Sequence, residues 1–365
     1  MTETNYEIDQ PPRVAKLDGT ILENETLPVI LNIDIKGFDK INTIEMTLSV
    51  IMKLTLKWRD RRLDFLNLRH NFYQNSINNP KIRSKIWIPE IGLANAKTGH
   101  LEKDDYSALL VSRESQANDF SATQALENLM YPGYSNSLVY IRRYQAEYQC
   151  MFDLRPFPFD RQECTLLFKM RSATKQQVVL TPGSLIFQGP KTQVEFVIED
   201  LWLTNGNENS TRSEVALHIR MSRSYLFHIT QTFFQSFLLA FLAYLTFWID
   251  IEDFNDRFIG SLTALLVLAS LMSSLTGGLP NTAYYKVVDV WLIFFLVTNA
   301  VIITLHIIID ILIRKAKAGD KVRCFPPKRI NNLAKILFPI LFVLFVSFLT
   351  LSICFRFAIA KPLVK

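Results

Sequence analysis

The chain has 365 residues, a net charge of +6 and a hydrophobic fraction of 49%. That length suggests two or three domains. Its basic balance would suit a nucleic-acid binder, but long uncharged apolar runs in the last third exclude that class. No Gly-rich phosphate loop, metal-ligand spacing or nucleophile–base pairing stands out, so an enzyme reading has no support.

The opening MTETNYEIDQ has no apolar core and is not a signal peptide. If the first half is extracellular, a leader was removed or not included. Asn24-Glu25-Thr26 is a glycosylation sequon with Asn24 as acceptor. Residues 27–35 read as a short strand. From Met46 to Trp58 the pattern alternates: Met46, Leu48, Val50, Met52, Leu54, Leu56 and Trp58 are apolar. Thr47, Ser49, Lys53, Thr55 and Lys57 face the other way, and Ile51 interrupts them. A period of two marks a half-buried strand. Further short strands are predicted around 138–148, 194–203 and 214–221. Turn signals fall at Asn79-Pro80, Tyr131-Pro132-Gly133, Thr181-Pro182-Gly183 and Asn205-Gly206. This punctuation predicts an all-β sandwich of Ig-like type. Cys150 and Cys164 lie in this half and are a candidate disulfide. Asn209-Ser210-Thr211 is a second sequon, with Asn209 as acceptor.

Four uncharged stretches follow, at 225–249, 258–275, 290–309 and 336–355. Each is long enough to cross about 30 Å of hydrocarbon as a helix. Helices satisfy their own backbone there, so the prediction is an all-α four-helix transmembrane bundle. The segment between the third and fourth stretches carries eight Lys/Arg and two Asp, and reads as cytoplasmic. It also accounts for the basic balance. An even helix count places both termini outside. The predicted layout is an extracellular sandwich over 1–222 and three helices over 223–312. A short cytoplasmic loop over 313–333, a fourth helix over 334–359 and an extracellular tail over 360–365 complete it.

Cys150 and Cys164 enclose thirteen residues that contain Phe157-Pro158-Phe159-Asp160. An aromatic–Pro–aromatic turn favours a cis peptide. This segment resembles the signature disulfide loop of Cys-loop receptors, the pentameric ligand-gated ion channels. Trp58-Arg59-Asp60-Arg61-Arg62-Leu63 resembles the family's WxDxxL segment, and Trp87-Ile88-Pro89-Glu90 its WxPD motif. Phe247-Trp248-Ile249 closes the first span, Leu279-Pro280 follows the second, and Lys286 to Trp291 opens the third, in the family's order. The resemblance covers about residues 25–358 and implies a disulfide between Cys150 and Cys164.

By resemblance the second span lines a pore. Steps of three and four residues give Asp256, Ile259, Thr263, Leu266, Ser270, Ser273 and Gly277, which share one helical face. Leu266 matches the family's central hydrophobic gate, where five side chains exclude water. A helix-packing face is the plain alternative for such small residues. Anion-selective relatives carry Pro-Ala before the basic residue at the start of this span. Here Asn255-Asp256-Arg257 stands there, and a ring of five Asp256 carboxylates favours cations. Asp250, Glu252 and Asp253 add negative charge, and the acids also suit a helix N-terminus.

The resemblance further implies that the disulfide loop transmits binding to the gate. Pro158, Phe159, Asp160, Arg223 and Pro280 are its coupling residues, with Asp160 near Arg223. One departure stands out: Gln235 occupies the position of the family's first-span proline, so a straighter helix is expected. Gln235 must then find a polar partner in the bundle. Family agonists bind between subunits in an aromatic box that holds an ammonium. Here Lys53, Ala94 and Arg171 replace box aromatics, and the last loop, with Thr204, Asn205, Asn207 and Arg212, contains none. An anionic, zwitterionic or non-amine agonist is expected, because Lys53 and Arg171 repel an amine. Solvated surface charge is the plain alternative. Tyr131, Tyr134 and Tyr225 remain available to a rearranged site.

The sequence therefore reads as a plasma-membrane channel subunit that forms a homopentamer and binds a small-molecule agonist. Permeant ions and lipid are the other partners; no nucleic acid, cofactor or metal is expected. A non-conducting accessory subunit and an anion channel are the competing readings.

Overall fold

Alternation has a direct structural result in Thr47–Arg59. Leu48, Val50, Met52, Leu54, Leu56 and Trp58 are each at most 4% exposed, while Ser49, Ile51, Lys53, Thr55 and Lys57 between them are only half-buried. The computed structural model describes residues 6–14, 16, 20–22, 25–101, 107–115, 129–317 and 326–359. Two units emerge. The first comprises Met1–Phe152 with Arg161–Ser222, the second Asp153–Asp160 with Arg223–Lys365. The segment Asp153–Asp160, expected within the sandwich, thus clusters with the helices.

The strands in chain order are β1 Leu27–Asn42, β2 Thr47–Arg59, β3 Asp64–Leu66, β4 Ile91–Leu93, β5 Ala96–Leu101 and β6 Ser107–Ser112. They continue with β7 Met130–Pro132, β8 Ser137–Gln149, β9 Arg161–Met170, β10 Val178–Phe187, β11 Phe196–Asn205 and β12 Glu214–Arg223. One large sheet runs β10-β1-β2-β8-β5, with β6 also on β8; apart from the small β3-β7 pair, the other runs β11-β12-β9-β4. Their inner faces form one core. Tyr148 of β8 meets Phe168 of β9 edge-on at 6.5 Å, and a disulfide joins Cys150 beyond β8 to Cys164 on β9. The Trp58, Asp60 and Leu63 side chains of the WxDxxL segment are all buried, and Trp58 packs edge-on against Trp87 at 6.1 Å.

Two local readings change. Thr181-Pro182-Gly183 is not a turn but lies within β10, where pairing with β1 is interrupted between Leu31 and Ile33. Proline lacks an N–H and is tolerated at an edge strand or bulge. Tyr6, which no periodicity singled out, anchors the leading segment. Its hydroxyl donates to Asp60 Oδ2 at 2.7 Å and accepts from the Trp87 N–H at 2.8 Å, beneath the Arg62 guanidinium.

The second unit contains four helices long and apolar enough to cross a membrane: α1 Leu226–Trp248, α2 Phe254–Gly277, α3 Val287–Lys317 and α4 Pro327–Ile359. At 1.5 Å per residue, the 24 residues of α2 span about 36 Å. Helix α3 extends past 312 and α4 begins before 334, while 318–325 and the tail 360–365 lie outside the described residues. Helix α1 is not a regular α-helix beside the position of its missing proline. Ile229–Phe234 is a π-helical stretch immediately before Gln235. There the Ser236 hydroxyl donates to the Thr232 carbonyl at 2.6 Å and accepts from Trp291 Nε1 at 2.8 Å. An inserted residue disturbs the carbonyl ladder much as a proline does. Gln235 itself is exposed in the chain, rather than partnered within the bundle.

Candidate functional site

The loop between the cysteines is held to the helices by polar and aromatic contacts. Phe157-Pro158 is cis, and Phe157 is buried against His228, with ring centroids 4.8 Å apart. Phe159 packs on Tyr225 and Phe233 at 5.6 and 6.1 Å. Arg223 Nε and Nη2 donate to the two carboxylate oxygens of Asp160 at 2.8 and 3.1 Å. In the α2–α3 turn the Pro280 carbonyl accepts from Lys286 Nζ at 3.2 Å. The turn reaches the loop through two other residues. The Leu154 N–H donates to the Tyr284 hydroxyl at 3.1 Å, and the Val287 N–H to the Arg155 carbonyl at 3.0 Å. Sequence reasoning missed Tyr284 and Arg155; the Tyr284-Tyr285 pair in an otherwise short turn was the available signal.

Helix α2 is two-faced. Arg257, Ser261, Ala264 and Leu268 are buried against the chain's own helices. Asp256, Ile259, Thr263, Leu266, Ser270, Ser273 and Gly277 are all exposed, Leu266 at 63%. Asp253 occupies the N-cap position but makes no side-chain cap bond, while Asp256 sits in the first turn, beside the positive helix end.

The candidate ligand residues are scattered. Lys53 on β2 lies 3.2 Å from Asp34 on β1, but the same carboxylate oxygen also takes Lys36 Nζ at 2.9 Å, so one carboxylate is shared by two ammonium groups. Ala94 is exposed, and its N–H donates to the Leu167 carbonyl at 2.8 Å. The last loop is tied down. Thr204 Oγ1 lies 2.9 Å from His218 Nε2, and Asn207 Oδ1 accepts from the Asn209 N–H at 3.0 Å. Glu214 takes Lys169 Nζ at 2.6 Å and the Ser210 hydroxyl at 2.8 Å. Those hydrogen bonds, that from Lys169 first, hold the Glu214 carboxyl below its usual range. Arg212 and Asn205 are exposed beside them. Asn209 is exposed, as glycan attachment requires; Asn24 lies outside the described residues.

Arg171 is different. Its N–H donates to the Glu90 carbonyl at 2.8 Å, and its side chain lies flat over Gly92. A Cβ on Gly92 would stand 2.3 Å from Arg171 Nε. Arg171, Glu90, Tyr140, Arg142 and Tyr144 line a recess of about 420 Å³, with Leu54 and Leu56 behind them. Lys53, Ala94 and the last loop are not among its lining residues. Burial pushes the Tyr144 hydroxyl pKa up, against the opposing pull of the Arg142 charge. Arg142 was not foreseen, because on β8 it faces the core side, opposite Leu54 in register. Of the other tyrosines, Tyr131 is buried, Tyr134 lines a separate recess, and Tyr225 packs on Phe159.

A β-sandwich carrying this disulfide loop, followed by four apolar helices, defines the architecture of a Cys-loop receptor subunit. A family model described as "Neurotransmitter-gated ion-channel ligand binding domain" matches residues 19–230, and the chain belongs to that family. Gamma-aminobutyric acid receptor subunit beta of Lymnaea stagnalis is 28% identical over 283 residues, covering 73% of this chain and 52% of the relative. Glutamate-gated chloride channel subunit beta of Haemonchus contortus is 23% identical over 273 residues, covering 72% and 59%. Human gamma-aminobutyric acid receptor subunit rho-3 is 22% identical over 275 residues, covering 73% and 54%. The chain spans about half the length of the curated relatives it matches. They are receptor and channel subunits rather than enzymes, and one carries chloride in its name; nothing in these likenesses supports cation selectivity.

Proposed function

We propose that the chain is one subunit of a pentameric ligand-gated ion channel, assembled from five copies with α2 around an axial pore. The uncovered α2 face carries this reading. Seven positions at helical spacing stay exposed while the opposite face is buried in the subunit. Fivefold repetition turns Leu266 into a hydrophobic constriction and Asp256 into a carboxylate ring. That ring favours cations. The likeness to a chloride channel subunit favours a second reading, anion conduction.

A Leu266→Ser channel tests both, because a polar constriction wets and conducts without ligand. Its reversal potential on dilution of NaCl gives the sign of the permeant ion. Cysteines at Thr263 and Ser270 should react with aqueous thiol reagents much faster than cysteines at Ala264 and Leu268. Equal rates would remove the pore reading.

Two guanidinium groups, Arg171 and Arg142, line one recess with a single carboxylate, Glu90, and this net positive charge supports a carboxylate-bearing ligand over a bare amine. Activation by simple amines but not by carboxylates would refute this assignment.

A further inference from the structure

Four buried polar side chains meet around the N-terminal end of α2. Arg257 follows Asp256 in sequence but points into the bundle and is 1% exposed. Its Nε donates to the Thr246 carbonyl at 3.1 Å, and its Nη2 donates to Asn331 Oδ1 on α4. Asn331 Nδ2 donates in turn to the Phe247 carbonyl at 3.1 Å. Thr246 Oγ1 lies 2.7 Å from His306 Nε2 on α3. Residues of all four helices are thus joined in one cluster. The partners of the guanidinium are neutral: a carbonyl, a carboxamide and the face of Phe247 at 5.8 Å. Among the described residues, Arg257 makes no ion pair.

With no carboxylate in contact and only the more distant charge of Asp250 to offset it, the buried guanidinium is held chiefly by its hydrogen bonds. Its side chain is long, and when a bond is lost it extends its charged end toward water. The nearest exposed position in sequence is Asp256, in the first turn of the same helix.

We infer that Asn331 is a positioning residue for ion selectivity. By retaining the Arg257 guanidinium inside the bundle, it leaves Asp256 to set the charge of the pore mouth. This rests on the pore reading above. Asn331 lies on α4, which contributes nothing to the α2 stripe, so a purely structural residue there would not alter which ions pass.

The test uses full-length channels carrying Leu266→Ser, with reversal potentials read on NaCl dilution. Asn331→Leu should lower the cation-to-anion permeability ratio several-fold, by freeing Arg257 to offset Asp256. Asn331→Asp, which keeps an acceptor, should restore the parent ratio. In an Arg257→Gln background, Asn331→Leu should have no further effect. Asn331→Ala serves if the leucine variant does not assemble, since it removes the acceptor without added bulk. An unchanged ratio in the Asn331 variants, with a changed ratio in Asp256→Asn, overturns the inference alone. An unchanged ratio in Asp256→Asn, or no current from Leu266→Ser, overturns the pore reading itself.

Discussion

Arg223 and Asp160 form a two-point contact, 2.8 and 3.1 Å long, with both side chains at most 2% exposed. The Arg223 N–H also donates to the Asp160 carbonyl at 3.1 Å, and the Phe157 ring lies 4.8 Å from the guanidinium. Paired donors and acceptors of this kind fix orientation as well as energy. Removing one partner strands a buried charge, so Arg223→Gln or Asp160→Asn should destabilise by about 3–5 kcal/mol. The double variant Arg223→Met/Asp160→Leu should regain most of that loss, because an apolar pair carries no desolvation cost. Thermal unfolding of the detergent-solubilised protein reads the cycle, and additive losses would show that the pair is incidental.

The leading segment provides an independent test. Tyr6→Phe leaves the Trp87 N–H without its acceptor, while Asp60 Oδ2 keeps its hydrogen bond from Arg62 Nη2 at 2.9 Å. Burial pushes the Tyr6 pKa up, reinforced by the Asp60 charge, so the group is a neutral donor throughout the working range. The expected loss is about 1–3 kcal/mol, the cost of leaving one donor unmatched. A melting temperature equal to that of the parent would show that this segment is only loosely attached.

Acid should weaken the sandwich through two carboxylates. Burial alone would raise the Glu114 pKa, but hydrogen bonds from Lys57, Arg59 and Ser137 outweigh it and hold the carboxyl below its usual range. Glu214 is depressed chiefly by Lys169. A folded pKa below the unfolded one adds stability that is complete above the unfolded value, roughly 4.3. That stability is lost as pH falls through the folded value. Glu114→Gln should therefore flatten the fall of melting temperature below about pH 4.5. An unaltered acid limb would assign that fall to other groups.

The π-helical stretch predicts an unusual tolerance. Gln235 has φ −65°, a value proline adopts, and its N–H donates to the Thr232 carbonyl, which would keep the Ser236 hydroxyl as a donor if that N–H were lost. Gln235→Pro should cost well under the roughly 3 kcal/mol typical of a helix interior. A full-sized loss would mean that the irregular turn depends on the Gln235 N–H.

The architecture was legible because its signals are local. Alternation in Thr47–Arg59, uncharged stretches of spanning length, and Phe157-Pro158-Phe159-Asp160 between two cysteines each report on neighbouring residues. Asp160 and Arg223, 63 positions apart, were foreseen only through the family resemblance. Long-range polar matching left no such trace. Asn331 reads as one of two loop-like asparagines, and Arg142 breaks the apolar pattern of its strand. Gln235 signalled a lost proline, yet no sequence rule announces that an inserted turn takes its place. Lys53 shows the same limit: nothing local announces the cross-strand aspartate that it shares with Lys36.

Gly92 offers the cleanest handle on the recess. Its missing side chain gives Arg171 a seat, and the atom that a methyl would meet is the flexible end of that arginine. Gly92→Ala should therefore displace the guanidinium rather than unfold the domain, with a stability change within about 1 kcal/mol. If Arg171 holds a ligand carboxylate, the variant should weaken carboxylate responses as strongly as Arg171→Gln, and combining the two should add nothing. Losing a charge-assisted hydrogen bond of about 1.5–3 kcal/mol corresponds to a rise in half-maximal concentration of at least tenfold. Equal potency of carboxylates on parent and Gly92→Ala channels would place their binding elsewhere.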